Sequence, residues 1–376
     1  MTEDQRLILL QWTAYQYSFV GDGKKALELA DRSVRQTPYA IPRESPFTGT
    51  EPVDALAEIV REASKRQVVI LNEAHHVPRG RFFATQVALA LRKLGFEYFA
   101  AETFAEPATL AEAWRRGYPS RKMGFYTCEP GFGDLVRQVM RVGYRAVSYE
   151  GEIFYNRRLG PLFGRVRETE QADNLIARIF SENPKARVLI YCGYSHATET
   201  WDKVEEGQNE AWMAARLKRL TGIDPFTIDQ TAETAHSAAA LALPEYQFAQ
   251  SRGWLDKPKV FRRRDGTWAT FGEYAGKVDM QVFTPSERLV NGRPTWLGLG
   301  GRRKPLGIPQ RLVPKEGRVL LQAFVWSEPA DAVPMDQVLL RAGHAPPVLM
   351  LPTGRYRLVL QRADGAAKPA GSLSAR

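Results

Sequence analysis

The chain has 376 residues, 44% of them hydrophobic and 25% charged, and its 52 basic and 42 acidic side chains leave a net charge of +10. These proportions fit a globular protein of two or three domains and exclude a disordered chain, a collagen-like repeat and a disulfide-framework miniprotein. No apolar run approaches the ~20 residues that span a bilayer.

Thr2 and Gln5 fit a helix capping box. Two helices broken by Gly21-Asp22-Gly23 are expected, and Trp12, Tyr15, Gly23, Ala26-Leu27 and Ala30 follow half of a tetratricopeptide-type hairpin. Residues 1–50 therefore read as a helical cap and a proline-rich linker. Over 51–290 apolar runs alternate with helical periodicity. Strands are expected at 68–71, 96–101, 144–149 and 187–191, with 226–228 as a fifth, and helices at 81–94, 134–141 and 167–181. Continuous apolar runs separated by helices are what a sheet buried on both faces requires. The fold class expected is α/β, a mostly parallel sheet flanked by helices. Short strand signals follow at 278–283, which can still join that sheet, and at 319–326, 337–340, 348–351 and 356–361. The last two are joined by the turn sequence Pro352-Thr353-Gly354. They predict a small β-sandwich over 305–366, with a frayed tail over 367–376.

Ligands of open α/β sheets bind outside the carboxyl ends of the strands. Asn72-Glu73-Ala74-His75-His76 follows the first strand, Glu102 the second, Glu150 and Glu152 the third, Gly193-Tyr194-Ser195-His196 and then Glu199 the fourth, and Asp229 the fifth. Three of the five histidines thus lie at two strand ends with carboxylates beside them. Singly, such residues are as often structural; their convergence on one edge points to a site. Gly-x-Ser-x-Gly is absent, and Ser195 and His196 are adjacent and would diverge in an extended segment. Cys192 lies inside an apolar run, where a buried thiol is the ordinary outcome. Two chemistries remain. In one, a histidine and a glutamate activate water. In the other, His75, His76, His196 and Glu102 hold a divalent metal that does so. Arg79, Arg81, Arg157 and Arg158 are candidates for binding a substrate carboxylate or phosphate. Phe82, Phe83, Phe104, Tyr126, Phe154 and Tyr155 would line a pocket or simply fill the core.

The basic residues form no single stripe. Arg262-Arg263-Arg264 and Arg302-Arg303-Lys304 lack the interleaved aromatics of a base-stacking groove. A small-molecule or peptide substrate is expected rather than nucleic acid. The N-terminus has no export signal as it stands, so a cytoplasmic protein is expected, or a periplasmic or secreted one if a leader has been removed.

The segments VVILNEAHH (68–76), FEYFAAETF (96–104), RETEQADNLI (167–176) and YCGYSHATE (191–199) resemble the superfamily that joins erythromycin esterases, ChaN-like haem-uptake lipoproteins and the Tiki/TraB proteins. Its Gly-Glu-x-(x)-His motif is matched by Glu73 with His75 or His76, and Asn72 stands where the glycine would be. Glu102 matches the glutamate after the second strand. Arg167, Glu168, Ala172 and Asn174 match a helix-start motif, with Gln171 for its usual methionine. Gly193 and His196 match a late Gly-x-x-His. The resemblance covers residues 53–235 and implies an α/β domain with its site at the strand ends. It implies a hydrolase centred on Glu73, His75, His76, Glu102 and His196, with Arg167, Glu168, Glu150 and Asn174 supporting them and Tyr194 beside the substrate. It implies two alternatives: haem binding through Tyr194, Tyr126 or a histidine, and a Tiki-like metal-dependent peptidase.

Overall fold

The computed structural model describes residues 2–151, 162–202 and 209–376. The two expected N-terminal helices are α1 (Glu3–Phe19) and α2 (Gly23–Ser33). The capping box is present: Gln5 N–H donates to Thr2 Oγ1 and Thr2 N–H to Gln5 Oε1. The segment expected to be a linker is anchored, because Phe47 stacks on Phe261 with centroids 3.9 Å apart. Strand β1 (Thr50–Asp54) leads into α3 (Ala55–Ala63).

The α/β core follows in chain order: β2 (Val68–Glu73), α4 (Arg79–Lys93), β3 (Tyr98–Ala101), α5 (Pro107–Arg116), α6 (Pro130–Arg141), β4 (Arg145–Val147), α7 (Phe163–Leu175), β5 (Val188–Gly193), α8 (Met213–Thr221) and β6 (Phe226–Asp229). After α9 (Pro244–Ser251) and β7 (Lys259–Arg263), which pairs with β1, comes β8 (Met280–Gln281). Six strands form one parallel sheet in the order β4-β3-β5-β2-β6-β8. The fold class read from the sequence is therefore the one observed.

The apolar run 68–71 explains the position of β2. Val69 and Leu71 enter one core with α3, α4 and α6, while Val68 and Ile70 enter the opposite core with α7 and α8. A strand buried on both faces can occupy only the interior of a sheet. α4 gives way to Gly95 at φ +86°, a left-handed position that favours glycine. Helices α3, α5, α8 and α9 were not expected. Of these, α5 and α9 begin at a proline whose missing N–H costs nothing in the first turn. The same is true of α6, which starts four residues earlier than its periodicity predicted, capped by Glu129.

Short strands β9 (Leu289–Val290) and β10 (Arg293–Pro294) pair with each other. The C-terminal region consists of β11 (Arg303–Leu306), β12 (Arg318–Val325), β13 (Asp336–Arg341), β14 (Leu349–Pro352), β15 (Gly354–Gln361) and β16 (Ala367–Ala375). Antiparallel sheets β13-β12-β15-β16 and β11-β14 enclose a separate core. The turn at 352–354 joins β14 to β15 as expected, although β14 pairs with β11 and β15 with β12 and β16. One expectation is corrected here. The tail is not frayed, because its backbone hydrogen bonds to β15 as edge strand β16.

α6 joins the two parts. Asp134 Oδ2 accepts from Arg303 Nη2 at 2.7 Å, and both side chains are almost wholly buried. Arg303→Met strands the Asp134 carboxylate in the interface and should destabilise the protein by about 3–5 kcal/mol. Asp134→Leu in that background should recover most of the loss. Urea titration followed by circular dichroism measures both.

Candidate active site

The first elements of the site come from the end of β2. Glu73 is buried, and its carboxylate is fully occupied. Arg81, in the first turn of α4, donates from Nε to Oε2 at 2.8 Å and from Nη2 to Oε1 at 3.0 Å. Tyr191 of β5 donates its hydroxyl to Oε2 at 2.9 Å. His75 Nδ1 lies 2.9 Å from Oε1. Burial alone would raise the Glu73 carboxyl, but Arg81 and His75 bring it down to about 2. An ionised carboxylate only accepts, so its partner assigns the proton to His75 Nδ1 and leaves the lone pair on Nε2. That nitrogen faces Gly193 and Glu102: a methyl group added to Gly193 would lie 2.6 Å from His75 Nε2 and 3.0 Å from Glu102 Oε2. Only glycine admits this close approach. The imidazole is wedged among three tyrosines. Tyr126 stacks on it at 3.8 Å, and Tyr15 and Tyr194 meet it edge-on at 5.8 and 5.2 Å.

A second imidazole–carboxylate pair stands across Glu102. His196 Nδ1 lies 2.8 Å from Glu168 Oε2, which also accepts from Met213 N–H. His196 Nε2 lies 3.4 Å from Glu102 Oε1. Burial pulls this imidazole down, but Glu168 and Glu102 outweigh it and push it up to about 10. Arg167 Nη1 is 3.2 Å from the same Nε2 and cannot donate to a protonated ring. We assign the imidazolium form because Glu168 and Glu102 stand at the two ring nitrogens, 2.8 and 3.4 Å away. Arg167 donates to Glu102 at 2.6 Å and pairs closely with Glu150. Glu102 also accepts the Gly193 N–H at 2.5 Å. Burial opposes its charge, yet His196 and Arg167 hold it well below the usual carboxylate range. Glu150 is raised by burial, despite Arg167.

Glu73, His75, Glu102 and His196 thus come together, with Arg167, Glu168 and Glu150 around them. Asn174 supports them from behind, donating to the Tyr149 carbonyl at 3.1 Å. His76 turns away, because both histidines lie in the turn after β2, where Val77 N–H donates to the Ala74 carbonyl at 2.8 Å. Its Nδ1 lies 3.3 Å from the Tyr194 hydroxyl, and burial lowers its imidazole to about 4. Two arginines expected to bind substrate do not. Arg79 is buried against the Pro285 carbonyl, and Arg81 is consumed by Glu73 and Glu129. Glu199 and Asp229 are structural. Glu199 binds Lys218 and Thr227, and Asp229 binds Asn72, Thr231 and Gln281. Asn72 avoids the left-handed backbone region, and its amide bridges the Tyr194 carbonyl and Asp229. Phe82, Phe83 and Phe104 are core. Cys192 is buried, and burial pushes its thiol well up. Glu152, Phe154, Tyr155, Arg157 and Arg158 lie outside the described residues. Sequence reasoning missed Tyr15 and Glu129. Tyr15 was read only as part of the N-terminal hairpin pattern, and Glu129 was hidden as the cap of α6.

The metal set does not fit. His76 faces away from His75, His75 Nδ1 and His196 Nδ1 are committed to carboxylates, and among the described residues no three His, Cys, Asp or Glu side chains are arranged to hold an ion. Of the tyrosines expected as haem ligands, Tyr126 lies flat on His75.

No protein-family model matches the chain, and no curated protein matches it. Among solved structures, the type III effector HopBA1 is similar to it at 11% sequence identity over 65% of this chain and 100% of that one, with a TM-score of 0.35. That similarity is too weak to equate the two folds.

His196 should titrate near pH 10 by NMR, and Glu168→Gln should lower that value. An imidazole raised from 6.5 stabilises the fold fully below pH 6.5, and the contribution is lost as pH rises through about 10. Wild-type stability measured against the Glu168→Gln variant should therefore converge at the alkaline end.

Proposed function

We propose that the chain is a hydrolase of carboxylic esters or lactones of the erythromycin-esterase-like kind, with His75 as general base. One observation carries this reading: a buried Glu73–His75 pair at the carboxyl edge of the sheet whose free Nε2 faces Glu102. A water held between that nitrogen and Glu102 Oε2 gives its proton to Nε2 as its oxygen attacks the acyl carbon. Glu73 stabilises the imidazolium that forms and holds its tautomer. The cations Arg167 and His196 supply the positive field in which the acyl oxygen gains charge, a field already oriented before reaction. Collapse of the tetrahedral species breaks the acyl–oxygen bond. The departing alkoxide takes the proton back from His75 Nε2, leaving acid and alcohol. The strand-end segments shared with that superfamily support the same roles for Glu73, His75, Glu102 and His196.

The haem-binding and metallopeptidase alternatives receive no comparable support, since each needs side chains that are turned away or committed to other partners.

A panel of p-nitrophenyl esters and simple lactones tests the reading. On a substrate so found, His75→Ala should lower kcat by about 10²–10⁴-fold, the usual worth of a general base. Glu73→Gln should fall within that range, and His76→Ala should leave kcat nearly unchanged. Undiminished turnover by His75→Ala would refute the mechanism.

A further inference from the structure

Helix α1 is apolar on two sides. Leu10 and Ala14 pack on α2 through Leu29 and Ala30. Ile8, Leu9 and Trp12 are left 53, 54 and 40% exposed. Ile8 and Leu9 lie one turn before Trp12, so the three form one face. The Trp12 ring extends that face to Phe125, itself 39% exposed, with centroids 5.1 Å apart. Scattered exposed apolar residues need no explanation, but a contiguous group of four large ones marks a surface that is covered in use.

The C-terminal region supplies a second and independent asymmetry. Residues 301–376 carry 12 of the 52 basic side chains and only 5 of the 42 acidic ones, so +7 of the net charge of +10 lies there. Register gathers the cations at one end of the β13-β12-β15-β16 sheet. Arg318 opens β12 directly opposite Arg341 near the end of β13, a like-charge pair that repels. Arg362 follows β15, and Lys368 of β16 lies beside Leu360 at the same end. Arg311 and Lys315 line one groove there with His344. Asp22 answers Arg341 at 2.7 Å, and Asp364 answers Arg362 at 3.6 Å. Arg311, Lys315, Arg318 and Lys368 are exposed and form no ion pair among the described residues. Glu3 at the start of α1 is engaged by Arg6 and Arg35, which leaves Asp4 and Glu316 as the free carboxylates of this surface among the described residues.

The apolar and basic surfaces adjoin. Thr13, one turn after Leu9, shares a groove of about 550 Å³ with Gln16 and Tyr17 of α1 and with Arg318, Leu320 and Arg362. A nucleic acid needs ring planes on which bases stack, and the aliphatic Ile8 and Leu9 offer none. An anionic bilayer matches both halves. Its headgroups attract lysine and arginine, and its interfacial layer accepts tryptophan and aliphatic side chains.

We propose that this face docks on the surface of an anionic lipid bilayer. Ile8, Leu9, Trp12 and Phe125 enter the interfacial layer, and the basic end of the C-terminal sheet lies against the headgroups. No helix among the described residues is long and apolar enough to cross a membrane, so the attachment is peripheral.

The test sediments the full chain with vesicles of phosphatidylcholine and phosphatidylserine in a roughly 2:1 ratio, and with vesicles of phosphatidylcholine alone. The mixed vesicles should bind at least about tenfold more tightly, and added salt should weaken the binding. The variants Leu9→Ser/Trp12→Ser and Lys315→Glu/Arg318→Glu change exposed side chains, and melting temperatures check that both fold. Each should lower the partition coefficient by about tenfold. Equal binding to the two kinds of vesicle, or undiminished binding by either folded variant, would overturn the proposal. So would duplex DNA that binds as tightly as the mixed vesicles, which would assign the cations to a nucleic acid instead.

Discussion

A guanidinium with no access to solvent holds the carboxyl edge of this protein together. Arg81 joins Glu73 at the end of β2 to Glu129 at the start of α6 and also donates to the His75 carbonyl at 3.0 Å. Burying such a charge is costly unless every partner is supplied, and removing one partner leaves a bare charge in the core. The geometry is therefore over-determined. With Glu73 tied from three sides, the His75 ring has one orientation, and its free nitrogen has one direction in which to work.

The two imidazoles illustrate how surroundings, not residue type, assign chemistry. Each pairs Nδ1 with a carboxylate at nearly the same distance, 2.9 Å for His75 and 2.8 Å for His196. For His75, the acceptor is already neutralised by Arg81. For His196, a second carboxylate lies within 3.4 Å of the other nitrogen, a contact that His75 Nε2 does not make with Glu102 among the described ion pairs. One ring is left with an available lone pair, and the other is held as a cation. In the proposed mechanism these become base and fixed positive charge, the separation of roles that environment imposes on like groups in an active site.

Much of this was legible along the chain. The run Val68-Val69-Ile70-Leu71 could only be an interior strand, and Gly95 marked the end of the helix after it. The clustering of acids and histidines after successive strands located the site, because parallel strands end on one edge. Glu168 was legible only as a member of a helix motif, and its contact with His196 spans 28 positions. Arg79 and Arg81, two residues apart and alike in composition, have unlike fates, since one finds a carbonyl and the other two carboxylates. The tail was misread because low side-chain bulk says nothing about whether a neighbouring strand has backbone groups to offer.

Local pattern alone determined the layered α/β domain, the strand ends that carry chemistry, the two N-terminal helices and the antiparallel region that follows. These depend on periodicity and capping, which act between near neighbours. The tertiary structure decided which histidine faces inward, which charges cancel, and that Tyr15 from the first helix walls the site. Those outcomes depend on contacts across more than a hundred residues, such as Tyr191 to Glu73 and Asn72 to Asp229. Only the packed chain determines which buried charge has a partner.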